Sequence, residues 1–179
     1  MKYLITGASG LLGLNMALHL SNGYTLTGVV HQNSLCGVPF ETISTDLSDP
    51  ENAQRLVEEV KPDVLVHCAA MANLDVCERQ PELAKRTNAD LPGWLAQAAR
   101  EGSCRFVHIS TDAVFDGVRG EYSETDPTNP TGAYARFKLM GEEAVTTANP
   151  EALIARVNFY GWSLGGKRSL SEFFFNNLS

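Results

Sequence analysis

KYLITGASGLLG, residues 2–13, decides the fold. Its first five residues read as a short strand, glycines follow at 7, 10 and 13, and an apolar run then continues with helical spacing. In such a strand, turn and helix, Gly7 permits the tight turn and Gly10 lets the backbone approach a pyrophosphate. Gly13 lets the helix pack closely on the strand. The helix N-terminus adds free amides and a partial positive charge. The context fits a dinucleotide cradle; the alternative is a turn that needs glycine for structure alone.

Outward from this turn, short β-rich runs alternate with longer segments of helical period. Strands are expected at 2–6, 25–30, 63–69, 105–110 and 152–157, with helices at about 11–21, 50–60, 81–101 and 132–147. Alternation of this kind predicts βαβ units. The strands are mostly apolar on both faces, so the sheet is expected to be parallel and covered twice. The fold class is therefore α/β, a Rossmann-type doubly wound parallel sheet with helices on both faces. Ser48-Asp49-Pro50-Glu51 reads as a cap with Pro at a first helical position. Asn22-Gly23 and Glu101-Gly102 read as helix stops. Residues 112–132, rich in Gly, Pro, Asp and Thr, are expected to form a long functional loop. Residues 169–178 carry helix-like patterning, and Phe173, Phe174 and Phe175 there call for apolar cover from the sheet or from a partner.

At 179 residues and 44% hydrophobic, the chain has the size of one ordinary domain, residues 1–179. Its net charge of -7, with 14 scattered Lys and Arg, argues against a nucleic-acid partner. No run is long and apolar enough for a membrane span or a signal peptide, so a cytoplasmic location is expected. Cys36, Cys68, Cys77 and Cys104 lack the spacing of a zinc site or a disulfide framework. They are expected to be reduced structural thiols, with no metal.

A site selective for NAD commonly places an acid at the end of the second strand, to take the ribose 2′-hydroxyl. Here that end reads VVHQNS, with His31 and Gln32 at the position. No charge there repels a 2′-phosphate, so NADP(H) is slightly favoured over NAD(H). His31 as an ordinary loop histidine is the other reading.

YARFKLMGE, residues 134–142, puts Tyr134 and Lys138 one turn apart on a helix face. A nearby ammonium lowers the pKa of a phenol, which makes the pair a tuned acid/base. An amphipathic helix with a surface Lys is the plain alternative. HISTDAVF, residues 108–115, ends a predicted strand and places Ser110 and Thr111 at the carboxyl edge of the sheet. A hydroxyl there can hold a substrate oxygen beside Tyr134.

Together these stretches resemble the extended short-chain dehydrogenase/reductase superfamily, and within it the dTDP-4-dehydrorhamnose reductase group. TDLSDP (45–50), HCAAMANLDVCE (67–78), the Asn88 segment, STDAVFDG (110–117) and RVNFYG (156–161) add to the glycine turn and YARFKLMGE, in family order. The resemblance implies a catalytic set of Thr111, Tyr134 and Lys138, with Ser110, Tyr134 and Lys138 also on the cofactor. It implies that Gly7, Gly10, Leu11, Leu12 and Gly13 cradle pyrophosphate. His31, Asp46 and Leu47 would flank adenosine, while Cys68, Ala69 and Ala70 line the cofactor channel. Thr111, Asp112 and Phe159 fall where the group touches its sugar nucleotide. Asp46 as a helix-approach residue and Phe159 as core are the competing readings. Ala113 stands where the group commonly has an aromatic, and Cys68 replaces the first of an alanine run.

The implied activity is reduction of a 4-keto-6-deoxy sugar nucleotide, with Tyr134 giving the proton. A homodimer is compatible with it. The group continues into a small substrate domain, which this chain is expected to lack. Two other functions share these residues: an NADP-holding regulatory module, like the regulatory subunit of methionine adenosyltransferase, and a sugar-nucleotide epimerase or dehydratase.

Overall fold

A computed structural model describes residues 1–163 and 170–178. Six strands form one parallel sheet: β1 (Lys2–Thr6), β2 (Thr25–Val30), β3 (Glu41–Ser44), β4 (Val64–His67), β5 (Arg105–Thr111) and β6 (Leu153–Val157). Their order is β3-β2-β1-β4-β5-β6. The chain winds outward from β1 in both directions, so the sheet's switch point lies between β1 and β4. That is where open α/β sheets bind ligands.

Alternation along the strands divides the core in two. Leu4, Leu65 and Phe106 face a layer made by α2 (Pro50–Val60), α5 (Leu91–Glu101) and α6 (Ala133–Ala148). Ile5, Val64 and Val66 face α1 (Leu11–Leu20), which buries Ala17 against them. Leu65 and Leu95 are wholly buried, each worth roughly 1.5–3 kcal/mol by area. The doubly wound α/β architecture expected from the sequence is the one observed.

The predicted cap at α2 forms: the Asp49 side chain accepts from the Glu51 amide at 3.0 Å, with Pro50 at the first helical position. Asp49→Ala is expected to cost about 1 kcal/mol in urea unfolding, since it orphans a helical amide.

Three regions differ from the sequence reading. β3 was missed because ETIS offers one apolar residue, Ile43, on an exposed edge strand. A short helix α3 (Leu74–Arg79) was also missed, although Asn73 caps it by accepting from the Val76 amide at 2.9 Å. The single helix expected over 81–101 is three pieces: α4 (Pro81–Lys85), a π segment (Arg86–Asp90) and α5. Pro92 has no N–H to give the Asn88 carbonyl, which breaks the ladder there. Asn88 also spends its side chain on the Met71 backbone, at 2.9 Å in both directions. Its freed carbonyl faces Gly141 of α6, where an added Cβ would come within 2.3 Å. This close seam sets the depth at which α6 sits.

The loop expected over 112–132 is irregular apart from a 3-10 turn at Asp112–Val114. Asp116 organises it, accepting from Tyr122 and, at 3.0 Å, from Asn129. A last helix, α7 (Leu170–Asn177), falls within the patterned 169–178 segment, of which Ser169 lies outside the described residues. Ser163 donates to the buried Glu172 at 2.9 Å, while Phe173, Phe174 and Phe175 remain more than half exposed.

Candidate active site

A cleft of about 470 Å³ opens at the switch point, over the carboxyl ends of β1, β2 and β4. That volume is within the usual range for small-molecule sites. Gly7, Gly10, His31, Asp46, Leu47, Cys68, Ala69 and Ala70 all line it. Gly7 has φ +68°, and a Cβ on it would lie 2.7–2.9 Å from the backbone of Cys68 and Ala69. The turn therefore lies hard against the end of β4. Gly13 does not line the cleft; its Cβ would meet the Gly7 carbonyl at 2.3 Å, so it lets α1 approach the turn. Gly10 caps α1 without a side-chain acceptor, leaving the first-turn amides to an incoming anion. Leu11 lines a smaller cavity on the far side of Gly10, and Leu12 is half-buried on α1. A pyrophosphate of a dinucleotide fits this cradle in shape and charge.

At the other end of the cleft Asp46 is exposed, and its carboxyl is held below the ordinary range by the Ser48 amide and hydroxyl, with His31 and Arg86 adding attraction. Both proposed parts for Asp46 thus coexist: it turns the chain toward α2 through Ser48, 2.9 Å away, and presents a carboxylate to the cleft. His31 Nε2 lies 4.0 Å from that carboxylate. Leu83 and Thr87 complete the wall. They come from the broken helix, and no periodic signal marked them.

Tyr134 and Lys138 do not line this cleft but stand next to it, at the carboxyl end of β5. The α6 helix begins at a fixed point because the Ala133 amide donates to Glu78 Oε1 at 2.6 Å, a carboxylate at a helix N-terminus. Tyr134, the next residue, packs its half-buried ring against the buried cluster that contains Cys77. Thr111 lies close enough to the hydroxyl to act on its pKa, while its own Oγ1 donates to Asp112 at 3.3 Å and accepts from the Ala113 amide at 3.2 Å. Lys138, a turn later, is 2% exposed and donates to the Ile109 carbonyl at 2.7 Å.

The electrostatics of the pair differ from expectation. Burial pushes the Tyr134 phenol above its ordinary value, and only the Thr111 side chain acts to lower it. Lys138 does not tune the phenol, because its hydrogens are turned into the sheet toward Ile109 and His108. Desolvation brings Lys138 itself down to about 8, opposed by Glu142 and Cys68. The phenol is therefore protonated at neutral pH, as a proton donor must be.

Ser110 and Thr111 separate. The Ser110 hydroxyl donates to buried Glu142 at 2.5 Å, which Arg156 also clamps through two nitrogens at 2.7–3.1 Å. The Ser110 hydroxyl thus donates to the protein, and Thr111 is the one near the phenol. Asp112 follows at the site's rim and accepts from Asn158 at 3.4 Å. Phe159 is 40% exposed beyond β6, so it is surface rather than core.

Beneath the site, His67 and His108 stack at 5.4 Å, both nearly inaccessible. Desolvation lowers His67 to about 3, and it lowers His108 as well, with the Lys138 charge assisting in both. Both rings stay neutral in the fold while the unfolded chain takes up protons below about pH 6.5. The histidine contribution to stability is therefore level above that pH and falls as pH drops toward 3. Urea unfolding at pH 5 is expected to lose about 2 kcal/mol per histidine relative to pH 7.5, before the carboxylates titrate.

The sheet order, glycine turn and Tyr134–Thr111 pair define an extended short-chain dehydrogenase/reductase. More particularly, the chain belongs to the family described as RmlD substrate binding domain, whose model matches residues 1–174. It is 40% identical to a Burkholderia thailandensis dTDP-4-dehydrorhamnose reductase, covering 89% of this chain and 50% of that protein. It is 36% identical to the mouse methionine adenosyltransferase 2 subunit beta, covering 87% of this chain and 46% of that one. Among solved structures, a dTDP-4-dehydrorhamnose reductase from Clostridium acetobutylicum superposes with TM-score 0.79 at 35% identity, covering 99% of this chain and 59% of that one. A Bacillus anthracis reductase of the same name, solved in complex with NADP, gives 0.76 at 28% identity, covering 90% and 56%. The chain spans about half the length of the curated relatives it matches.

Proposed function

We propose that residues 1–179 form the NAD(P)(H)-holding domain of a reductase acting on a 4-keto-6-deoxy sugar nucleotide. One observation carries the reading: a protonated Tyr134 hydroxyl, with Thr111 near it, stands at the carboxyl rim beside a cleft of dinucleotide size. Gly7, Gly10 and the first-turn residues Leu11, Leu12 and Gly13 take the pyrophosphate. His31, Asp46 and Leu47 hold the adenosine end, and Cys68, Ala69 and Ala70 the middle. Lys138 holds the nicotinamide ribose, and Ser110 supports from behind through Glu142. When bound, the nicotinamide supplies a hydride. Reduction also requires a proton, which leaves the Tyr134 hydroxyl for the ketone oxygen while Thr111 hydrogen-bonds that oxygen. Asp112 and Phe159 face the sugar nucleotide. A cytoplasmic site of action belongs to the same reading.

NADP(H) is the preferred form in this proposal. The end of β2 presents His31 and Gln32 to the cleft, and the nearby Asp46 carboxylate is partly offset by His31 and Arg86. His31→Asp is expected to weaken NADPH about tenfold while sparing NADH, measured by fluorescence titration; equal losses of both would remove His31 from the ribose.

A second reading, an NADP-binding partner subunit, rests on the 36% identity to the methionine adenosyltransferase subunit. Stopped-flow mixing of the NADPH-loaded protein with dTDP-4-dehydrorhamnose separates the two. Oxidation of the cofactor supports the reductase; tight binding with no oxidation supports the module.

A further inference from the structure

Lys138 is a buried ammonium with no carboxylate at ion-pair distance among the described residues. Its helix neighbour Glu142 is committed to Ser110 and Arg156. Its contacts are the Ile109 carbonyl at 2.7 Å and His108 Nε2 at 3.5 Å. An ammonium only donates, so Nε2 accepts and the ring proton of His108 lies on Nδ1. That Nδ1 has no hydrogen-bond partner among the described residues, nor does Nε2 of His67. Burying such atoms opposes folding, so the imidazole of His108 is not explained by stability. The His67 ring stacked on it is itself pinned by Thr6, with Oγ1 2.7 Å from Nδ1, one residue before the glycine turn.

We propose that His108 is a positioning residue for Lys138: its Nε2 and the Ile109 carbonyl aim the ammonium, and the Thr6–His67 pair braces the imidazole from the glycine turn. The inference rests on the reading above, in which Lys138 holds the nicotinamide ribose. A chain of buried groups then joins the pyrophosphate turn to the ribose lysine, so that the two ends of one cofactor site share a single support. His108 acts through Lys138 and touches neither cofactor nor substrate.

The titratable groups acting on Lys138 are His67 and Cys68 from β4 and its end, His108 from β5, and Glu142 from α6. An acceptor lost from beside the ammonium favours the free amine. NMR titration of ε-13C-lysine protein follows Lys138 directly, its resonance assigned by loss in Lys138→Arg. In His108→Phe the Lys138 midpoint is expected to move to lower pH, and NADPH affinity to fall about tenfold. His108→Gln, whose amide oxygen can stand in for Nε2, is expected to keep both near wild type. An unchanged midpoint and affinity in His108→Phe overturn the proposal. Should that variant fail to fold, Gln and Asn are compared. Asn mimics Nδ1 rather than Nε2, and identical midpoints in the two overturn it equally. Failure of the wild-type chain to bind NADPH would sink the functional reading instead, while the midpoint shift would still test His108.

Discussion

Tyr134→Phe is expected to bind NADPH as the wild type does and to lose turnover of a 4-keto-6-deoxy sugar nucleotide by about a thousandfold. The magnitude is that of a single positioned general acid. The substitution removes one hydroxyl and nothing else: the ring still packs on the cluster that contains Cys77, and Lys138 is held by Ile109 and His108 rather than by the phenol. Cofactor affinity and unfolding midpoint should therefore stay level while the stopped-flow rate collapses. A parallel fall in affinity would mean that the phenol shapes the cofactor cleft rather than the chemistry. Because burial keeps the phenol protonated, the wild-type rate should show no loss through Tyr134 ionisation until well into alkaline pH.

Gly7→Ala should have the opposite signature, damaging binding and stability together. At φ +68° the new Cβ is strained, by roughly 1–2 kcal/mol. It is also driven to within 2.7–2.9 Å of the Cys68 and Ala69 backbone, which cannot rotate away as a side chain could. Relief requires the turn to lift from the end of β4, displacing the α1 amides from the cleft. NADPH affinity is expected to fall more than a hundredfold by this displacement, with a lower urea midpoint. Normal affinity in a stable Gly7→Ala protein would mean that the anion is not held at this turn.

The glycine turn was legible because three glycines and two flanking elements agree on one geometry. β3 was not, since a four-residue edge strand with a single apolar residue leaves no period to read. The break at Arg86–Asp90 depended on what Asn88 and Gly141 meet across space, although Pro92 was a local hint. Within the site, the spacing of Tyr134 and Lys138 fixed a shared helix and no more. Which way the ammonium turned was decided by a carbonyl and a histidine on β5, and burial rather than charge then set the phenol. Ser110 and Thr111 illustrate the same limit. Adjacent strand residues point to opposite faces, so only one of the two hydroxyls could reach the phenol. The sequence held no sign that Glu142 would claim the other.

The most direct test of the central claim is a crystal structure of the chain grown with NADP+. The account predicts the pyrophosphate on the first-turn amides of α1 after Gly10, with the nicotinamide end at Tyr134 and Thr111. A cofactor bound with its nicotinamide away from Tyr134, or no cofactor at millimolar concentration, would contradict it.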